Sequence, residues 1–418
     1  MIVLATSAVI DARAADDDDQ EDTSAGRWDL SVVPRFTLSN DEGFGIGLRG
    51  TAFWYRWDER PYKTAVSFQA FGTTRFVQHH YLRVDAIDAF NLPLRVTAEA
   101  GYYQTLTFNY CGLGANAACD PLEAKRAARS AGLTGDDAER FARRYYMTRY
   151  LRPYGSAVVR WRLSDKPHRP ELVAGWRGHF YQPGDWVDED GDGAFDLLPY
   201  AGSLYASRFD KGEVGFASVL QLGASLDDRD HEPDPSRGYF VEASGRIAAP
   251  ALGSRWTFFG MNTTLLLFVP LLEERRLVLA SRYVVDALVG DAPVMELARV
   301  GGSRDYFALG GADLGRGIRQ QRFPGGLKVL MQQELRSALA SFSLFEQDLR
   351  AGVALFVDAG WVAADALRIE RSDVRLHYGV GAGLRVNWNE NFVMRVDVAV
   401  SPTEGFAPFL YTKPDHPY

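Results

Sequence analysis

The 418-residue chain lacks any run approaching the roughly 18 consecutive apolar residues of a membrane-spanning helix. Its densest apolar stretch is LLLFVPLL at 265–272, so a helical membrane protein is excluded. Cysteine is almost absent, with two residues in the whole chain, which rules out a disulfide-dense scaffold. There is no basic excess: 46 Lys and Arg stand against 54 Asp and Glu, for a net charge of −8. That balance argues against a nucleic-acid partner. Histidine is scarce too. His79, His80, His168, His179, His231, His377 and His416 show no metal-ligand spacing, and no nucleophile elbow or glycine-rich loop opens a helix. An enzyme is not expected.

What the chain has in quantity is a period of two. From residue 27 onward, segments of about ten residues alternate apolar and polar, the pattern of a membrane β-barrel. In WDLSVVPRFTL, Trp28, Leu30, Val32 and Phe36 oppose Asp29, Ser31, Arg35 and Thr37. Near the C-terminus, VALFVDAGW sets Val353, Leu355, Val357 and Trp361 against Ala354, Asp358 and Gly360, and FVMRVDVAV sets Met394, Val396 and Val398 against Arg395 and Asp397. A soluble sandwich would also satisfy this alternation. Two features favour the barrel: the polar face mixes Gly, Arg, Asp, Glu and Asn, as a wet lumen requires, and Trp or Tyr recurs at strand ends. About sixteen segments can be counted, and the long links 109–150, 183–212 and 289–324 all fall in one alternate set, the extracellular one if both termini are periplasmic. The expected class is an all-β transmembrane antiparallel barrel occupying 27–418.

The ends and loops carry further signals. MIVLATSAVIDARAA, 1–15, reads as a signal peptide without its basic n-region, as expected of a true start that lies upstream or is misassigned, and 16–26 as an acidic linker. Export implies a bacterial outer-membrane location. Cys111 and Cys119, in a Gly/Ala/Asn stretch, are expected to close a small loop as a disulfide. Within a helical extracellular insert at 120–148, Asp120, Pro121 and Glu123 read as N-cap, first helical residue and capping-box partner, Gly132 as the C-cap, and Thr134 with Asp137 as the start of a second helix. In DEDGDGAFD, Asp188, Asp190, Asp192 and Asp196 have the alternate-carboxylate spacing of a calcium loop. Pro199 stands where an EF-hand has its bidentate Glu, so the readings left are a smaller calcium site or a solvated acidic loop; no other cofactor is expected.

The segment GGADLGRGIRQQRF, 310–323, fits neither strand nor helix and carries Arg316, Arg319 and Arg322. Charged groups in an irregular segment need partners wherever they are buried. Here the chain resembles the BamA/TamA superfamily of outer-membrane assembly and translocation proteins, in its bacterial-surface-antigen barrel. The resemblance rests on LGGADLGRGIRQQRF followed by QQELR with Glu334 and Arg336, on LDDRDHEPDPSRGYFVEASG at 226–245, on LFVDAGW at 355–361 and on YGVGAGLR at 378–385. These motif matches run in order over about residues 220–411, and the first half of the chain matches mainly as a barrel pattern.

The resemblance implies that 289–324 is a sixth loop folded into the lumen, with Arg316 and Gly317 at its tip and Arg316 locked to Asp358. Glu334, Arg336, Arg385, Arg395 and Asp397 would line the lumen. Gly315 and Ile318 depart from the family's apolar and aromatic tip residues, which implies weaker packing there. No periplasmic POTRA domain fits before the first strand, so a separate periplasmic partner would take its place. The last strand, GFAPFLYTKP, is short and interrupted by Pro408, leaving an underpaired edge against strand one. The implied function is insertion or translocation of proteins or lipids through that seam, with outer-membrane lipid and an unfolded outer-membrane protein or lipid substrate as partners. The alternative is a passive channel with a charged lumen.

Overall fold

The computed structural model describes residues 26–39, 42–55, 62–164, 168–187, 196–198, 203–209, 213–232, 234–272, 277–304, 306–344, 347–371, 374–388 and 392–413. The signal-peptide segment 1–15, most of the acidic linker, and Asp188, Asp190 and Asp192 lie outside them. Asp196 begins a short strand, Asp196–Leu198, but its side chain is not described.

Sixteen strands form the wall. They are β1 Arg27–Ser39, β2 Gly43–Tyr55, β3 Thr64–Thr73, β4 Gln78–Ala86, β5 Leu94–Asn109, β6 Met147–Arg162, β7 Pro170–Val187 and β8 Gly215–Asp227. The second half comprises β9 Gly238–Ala248, β10 Thr257–Leu272, β11 Leu277–Asp291, β12 Leu327–Leu344, β13 Gln347–Ala363, β14 His377–Trp388, β15 Phe392–Val400 and β16 Phe409–Lys413. Each strand pairs antiparallel with its sequence neighbours, which satisfies the backbone donors and acceptors along these ladders without water. β1 and β16 lie next to each other, yet among the described residues no ladder joins them. The barrel is nearly closed.

Alternation sorts the side chains as the period of two requires. Trp28, Leu30, Phe36, Leu355, Leu384 and Val398 are exposed on the outer wall, where lipid replaces water. Their neighbours of opposite parity, Thr37, Phe356, Asp358, Arg385 and Asp397, point inward and are buried. Asn109, Val187 and Asp291, from which the long links depart, end their strands at one end of the barrel, and Leu272, Leu344 and Trp388 end theirs at the other.

At the long-loop end an aromatic cluster caps the lumen, with Phe108, Tyr150, Tyr181, Tyr205 and Trp256 among its buried members. Helices α1, Pro121–Ser130, and α2, Gly135–Arg144, form the insert there. Asp120 caps α1 by accepting from the Leu122 amide, at 2.9 Å. Glu123, expected as the capping-box partner, instead accepts from the Tyr146 hydroxyl at 3.1 Å. Thr134 makes no side-chain cap hydrogen bond at the start of α2. Cys111 and Cys119 are joined as a disulfide, with Cα atoms 5.0 Å apart.

Candidate functional site: the arginine network inside the barrel

Between β11 and β12 the chain does not stand away from the barrel. It forms a one-turn helix α3, Val294–Leu297, a two-residue hairpin pairing Arg299–Val300 with Tyr306–Phe307, and a second turn α4, Gly311–Leu314, before returning to the wall. Its apolar residues make a small core of their own: Val300, Leu309, Leu314, Ile318 and Phe323 pack on the inward-facing Val284, Leu330 and Val362. Ile318 is fully buried in this cluster.

Arg316 sits at the turn that follows, with no exposed surface. Its guanidinium grips Asp358 in a two-pronged pair, Nε to Oδ2 at 2.8 Å and Nη2 to Oδ1 at 2.9 Å. The Arg316 backbone N–H donates to the same carboxylate at 2.9 Å. Nη1 reaches Glu334 at 2.7 Å and Asp397 at 3.2 Å. The Phe356 ring, two residues from Asp358 on the same face of β13, lies 3.4 Å from the guanidinium carbon, a cation–π contact in a dry setting. All three guanidinium nitrogens and one face of the plane are thus engaged.

The wall residues expected to line the lumen converge on this centre. Arg336 donates to Glu334 at 2.9 Å, Arg385 contacts Glu334 at 3.0 Å and Asp397 at 2.5 Å, and Arg395 donates to Asp397 at 2.8 Å. Arg395 also reaches back to the loop, to Asp313 at 3.3 Å and the Ala312 carbonyl at 2.9 Å. Four arginines are therefore interleaved with four carboxylates, a balance that offsets the several kcal/mol each ion loses on leaving water. All five wall residues are buried beneath the loop, so they do not face an open channel.

Local sequence makes this approach feasible. Gly379 on β14 faces the tip, and a Cβ there would lie 1.9 Å from the Arg316 carbonyl oxygen. Gly317 adopts φ +88° and would press a Cβ within 2.8 Å of the Val400 oxygen. Its amide donates to the Tyr411 hydroxyl of β16 at 3.1 Å. Beyond the tip, Arg319 pairs with Glu404 at 3.1 Å in the turn before β16. The loop thereby holds the closing end of the wall, through Tyr411 and Glu404.

Sequence reasoning missed three other groupings. Asp286, fully buried on β11, accepts from Arg246 at 2.7 and 2.9 Å, from Lys328 at 2.9 Å and from the Gly301 amide at 2.7 Å. Glu242 accepts from the Ser303 amide at 2.6 Å. In α3, Glu296 accepts from Tyr181 at 2.7 Å and bonds His179 Nδ1 at 3.0 Å. Each wall residue involved has inward parity, which the alternation could have given; its partner on the loop could not be read.

A family model for the Omp85 superfamily domain matches residues 174–405, which spans every member of the arginine network. The chain belongs to the Omp85 superfamily. Its place is accordingly the bacterial outer membrane, in an insertion or translocation role. No curated protein matches the sequence. Among solved structures, BamA from Haemophilus ducreyi lacking POTRA domains 1–3 aligns at 12% identity with a TM-score of 0.52, covering 93% of this chain and 70% of that one. CdiB from Escherichia coli aligns at 13% identity with a TM-score of 0.54, covering 92% of this chain and 61% of that one. At such identities the likeness of this Omp85 chain to both is one of fold, and it spans less than two thirds of CdiB.

Proposed function

We infer that this Omp85 barrel passes proteins or lipids into or across the outer membrane through a lateral seam between β1 and β16, with Arg316 and Asp358 locking the sixth loop that steadies the seam. The observation that carries the reading is the seam itself. β1 has 13 residues and β16 has 5, and among the described residues no ladder joins them. An unladdered pair of edges in hydrocarbon is costly unless another strand completes it. An incoming strand or a lipid would find there two neighbouring edges that no described ladder joins. The chemistry is non-covalent, and neither cofactor nor calcium enters it. A separate periplasmic partner would deliver the substrate.

A bifunctional thiol reagent tests this directly, because the chain's own cysteines form a disulfide. In a Val32→Cys, Leu410→Cys variant reconstituted in liposomes, tethering β1 to β16 should abolish insertion of a urea-unfolded barrel substrate, while the same reagent leaves each single variant active. Undiminished insertion through a tethered seam would rule the reading out. The second reading, a passive channel, is favoured by a charged cavity of about 570 Å³ inside the barrel; steady conductance from planar-bilayer recordings, independent of Arg316, would support it.

A further inference from the structure

Between β8 and β9 the chain turns at the end of the barrel opposite the long links, and the link 228–237 leaves the wall as a stiffened hairpin. Backbone bonds carry the pairing past the strands, from the Asp228 N–H to the Tyr239 carbonyl at 2.8 Å and from the Asp230 N–H to the Arg237 carbonyl at 3.1 Å. The Asp230 carboxylate accepts from the amides of Ser236 and Arg237, at 2.9 and 3.2 Å, and from the Ser236 hydroxyl at 2.5 Å. Gly238 supplies the bend. It adopts φ +103°, and a Cβ there would lie 2.0 Å from the Asp228 carbonyl oxygen, so a side chain at this position would force the hairpin out of place. At the base, Asp227 holds Arg229 in a two-pronged pair at 2.9 and 2.7 Å, and the Arg229 carbonyl accepts from Arg169 of the neighbouring link at 2.9 Å.

The tip of this hairpin meets the wall in two opposite places. On one side Glu232 accepts from Arg95 Nη1, at 3.0 and 3.3 Å, next to the start of β5. On the other, Asp234 accepts from the Asn387 side chain near the end of β14 and lies 3.6 Å from Arg350 near the start of β13. β5 and β13 are eight strands apart in a wall of sixteen, which puts them on opposite sides of the barrel. The link therefore crosses the mouth. Behind it lies the cavity of about 570 Å³, whose lining takes in Arg229 and Glu232 from the link itself.

We propose that the 228–237 hairpin is a strap across this mouth that governs entry to the cavity, latched by Glu232 to Arg95 and by Asp234 to Asn387 and Arg350. Base and tip are built differently. The base rests on backbone bonds and on Arg229, whose side chain is 4% exposed. The latches are part-exposed, with side chains 35% and 20% exposed at Glu232 and Arg95, and 24% and 45% at Asp234 and Arg350. Ion pairs in contact with water hold weakly and are screened by salt. Release also strands no guanidinium at β5, because Arg95 keeps its Nε and Nη2 bonds to Asp85 at 3.0 and 2.7 Å. The tip can thus swing out about the bend at Gly238 while the base stays formed. The strap stands independently of the seam, since its test reads entry to the cavity and not insertion of a substrate.

The test places a single reactive thiol in the cavity, since the chain's own cysteines form a disulfide. Ser156 on β6 lines the cavity and is half-buried. The full chain carrying Ser156→Cys, folded in detergent, is labelled with an uncharged maleimide bearing a short polyethylene glycol chain, and the rate is followed by mass spectrometry. Labelling is expected to be slow and to rise on the order of tenfold when Glu232→Gln and Asp234→Asn remove both latches, the factor that two part-exposed ion pairs supply together. Added salt should speed labelling with the latches intact and leave the unlatched protein unchanged. Heat-dependent gel migration checks that each variant is folded; should the unlatched protein fail, Glu232→Gln alone is used, with a smaller rise expected. A rate equal to that of the urea-unfolded chain with the latches intact would mean an open mouth. That result, a rate indifferent to the latch substitutions, or the same salt response with and without them would overturn the proposal.

Discussion

Arg316 engages all three guanidinium nitrogens and its backbone amide: Asp358 takes two side-chain bonds and the amide, and Glu334 and Asp397 share the remaining nitrogen. Replacing it with alanine leaves three carboxylates facing one another without their central cation, and the expected loss is about 3–5 kcal/mol of unfolding free energy, read from urea titrations in detergent. Arg316→Lys keeps the charge but not the fork, so it should fall between the two; equal stability of all three proteins would show that the network does not hold the loop. A second effect depends on pH. Burial pushes the Glu232 carboxyl up, but Arg95, 3.0 Å away, helps hold it below the usual carboxylate range, so the contribution assigned to this ion pair is present at neutral pH and disappears as the pH falls through the folded-state value. The stability difference between wild type and Glu232→Gln should therefore shrink on acidification from pH 7, and a constant difference would count against the assignment.

At the scale of elements, the wall was legible in the sequence and the inside of the barrel only partly so. Period-two alternation gives each strand's two faces, which is why Asp358, Arg385 and Asp397 could be assigned to the lumen from sequence. It does not give depth. That Glu334 on β12 and Asp397 on β15 meet on one arginine depends on strand tilt and stagger, and that Asp286 meets Gly301 depends on the path of an irregular loop. Phe356 shows the same limit: an aromatic among aliphatic neighbours reads as lipid-facing by type, while its parity with Asp358 turns it inward. The glycines of β14 carried a signal that composition could not separate from ordinary turn glycine. Gly379→Ala tests it, since the added methyl would collide with the Arg316 carbonyl. A destabilisation of about 1–3 kcal/mol is expected, together with faster proteolytic cleavage within 292–326; an unchanged digestion pattern would mean that the loop does not depend on this approach.

For the whole molecule, the parts act on one another across the lumen. A long strand, β1, abuts a short one, β16, and the element that steadies the short one is the sixth loop, through Tyr411 and Glu404. Among the described residues the wall has one junction without a ladder and a loop bonded beside it, the arrangement that the proposed lateral route requires. The most direct measurement is photo-crosslinking in living cells from probes at Val32 on β1 and Leu410 on β16. Adducts with unfolded barrel precursors or lipid are the predicted result. Crosslinks confined to the two strands themselves would mean a closed wall and would contradict the account.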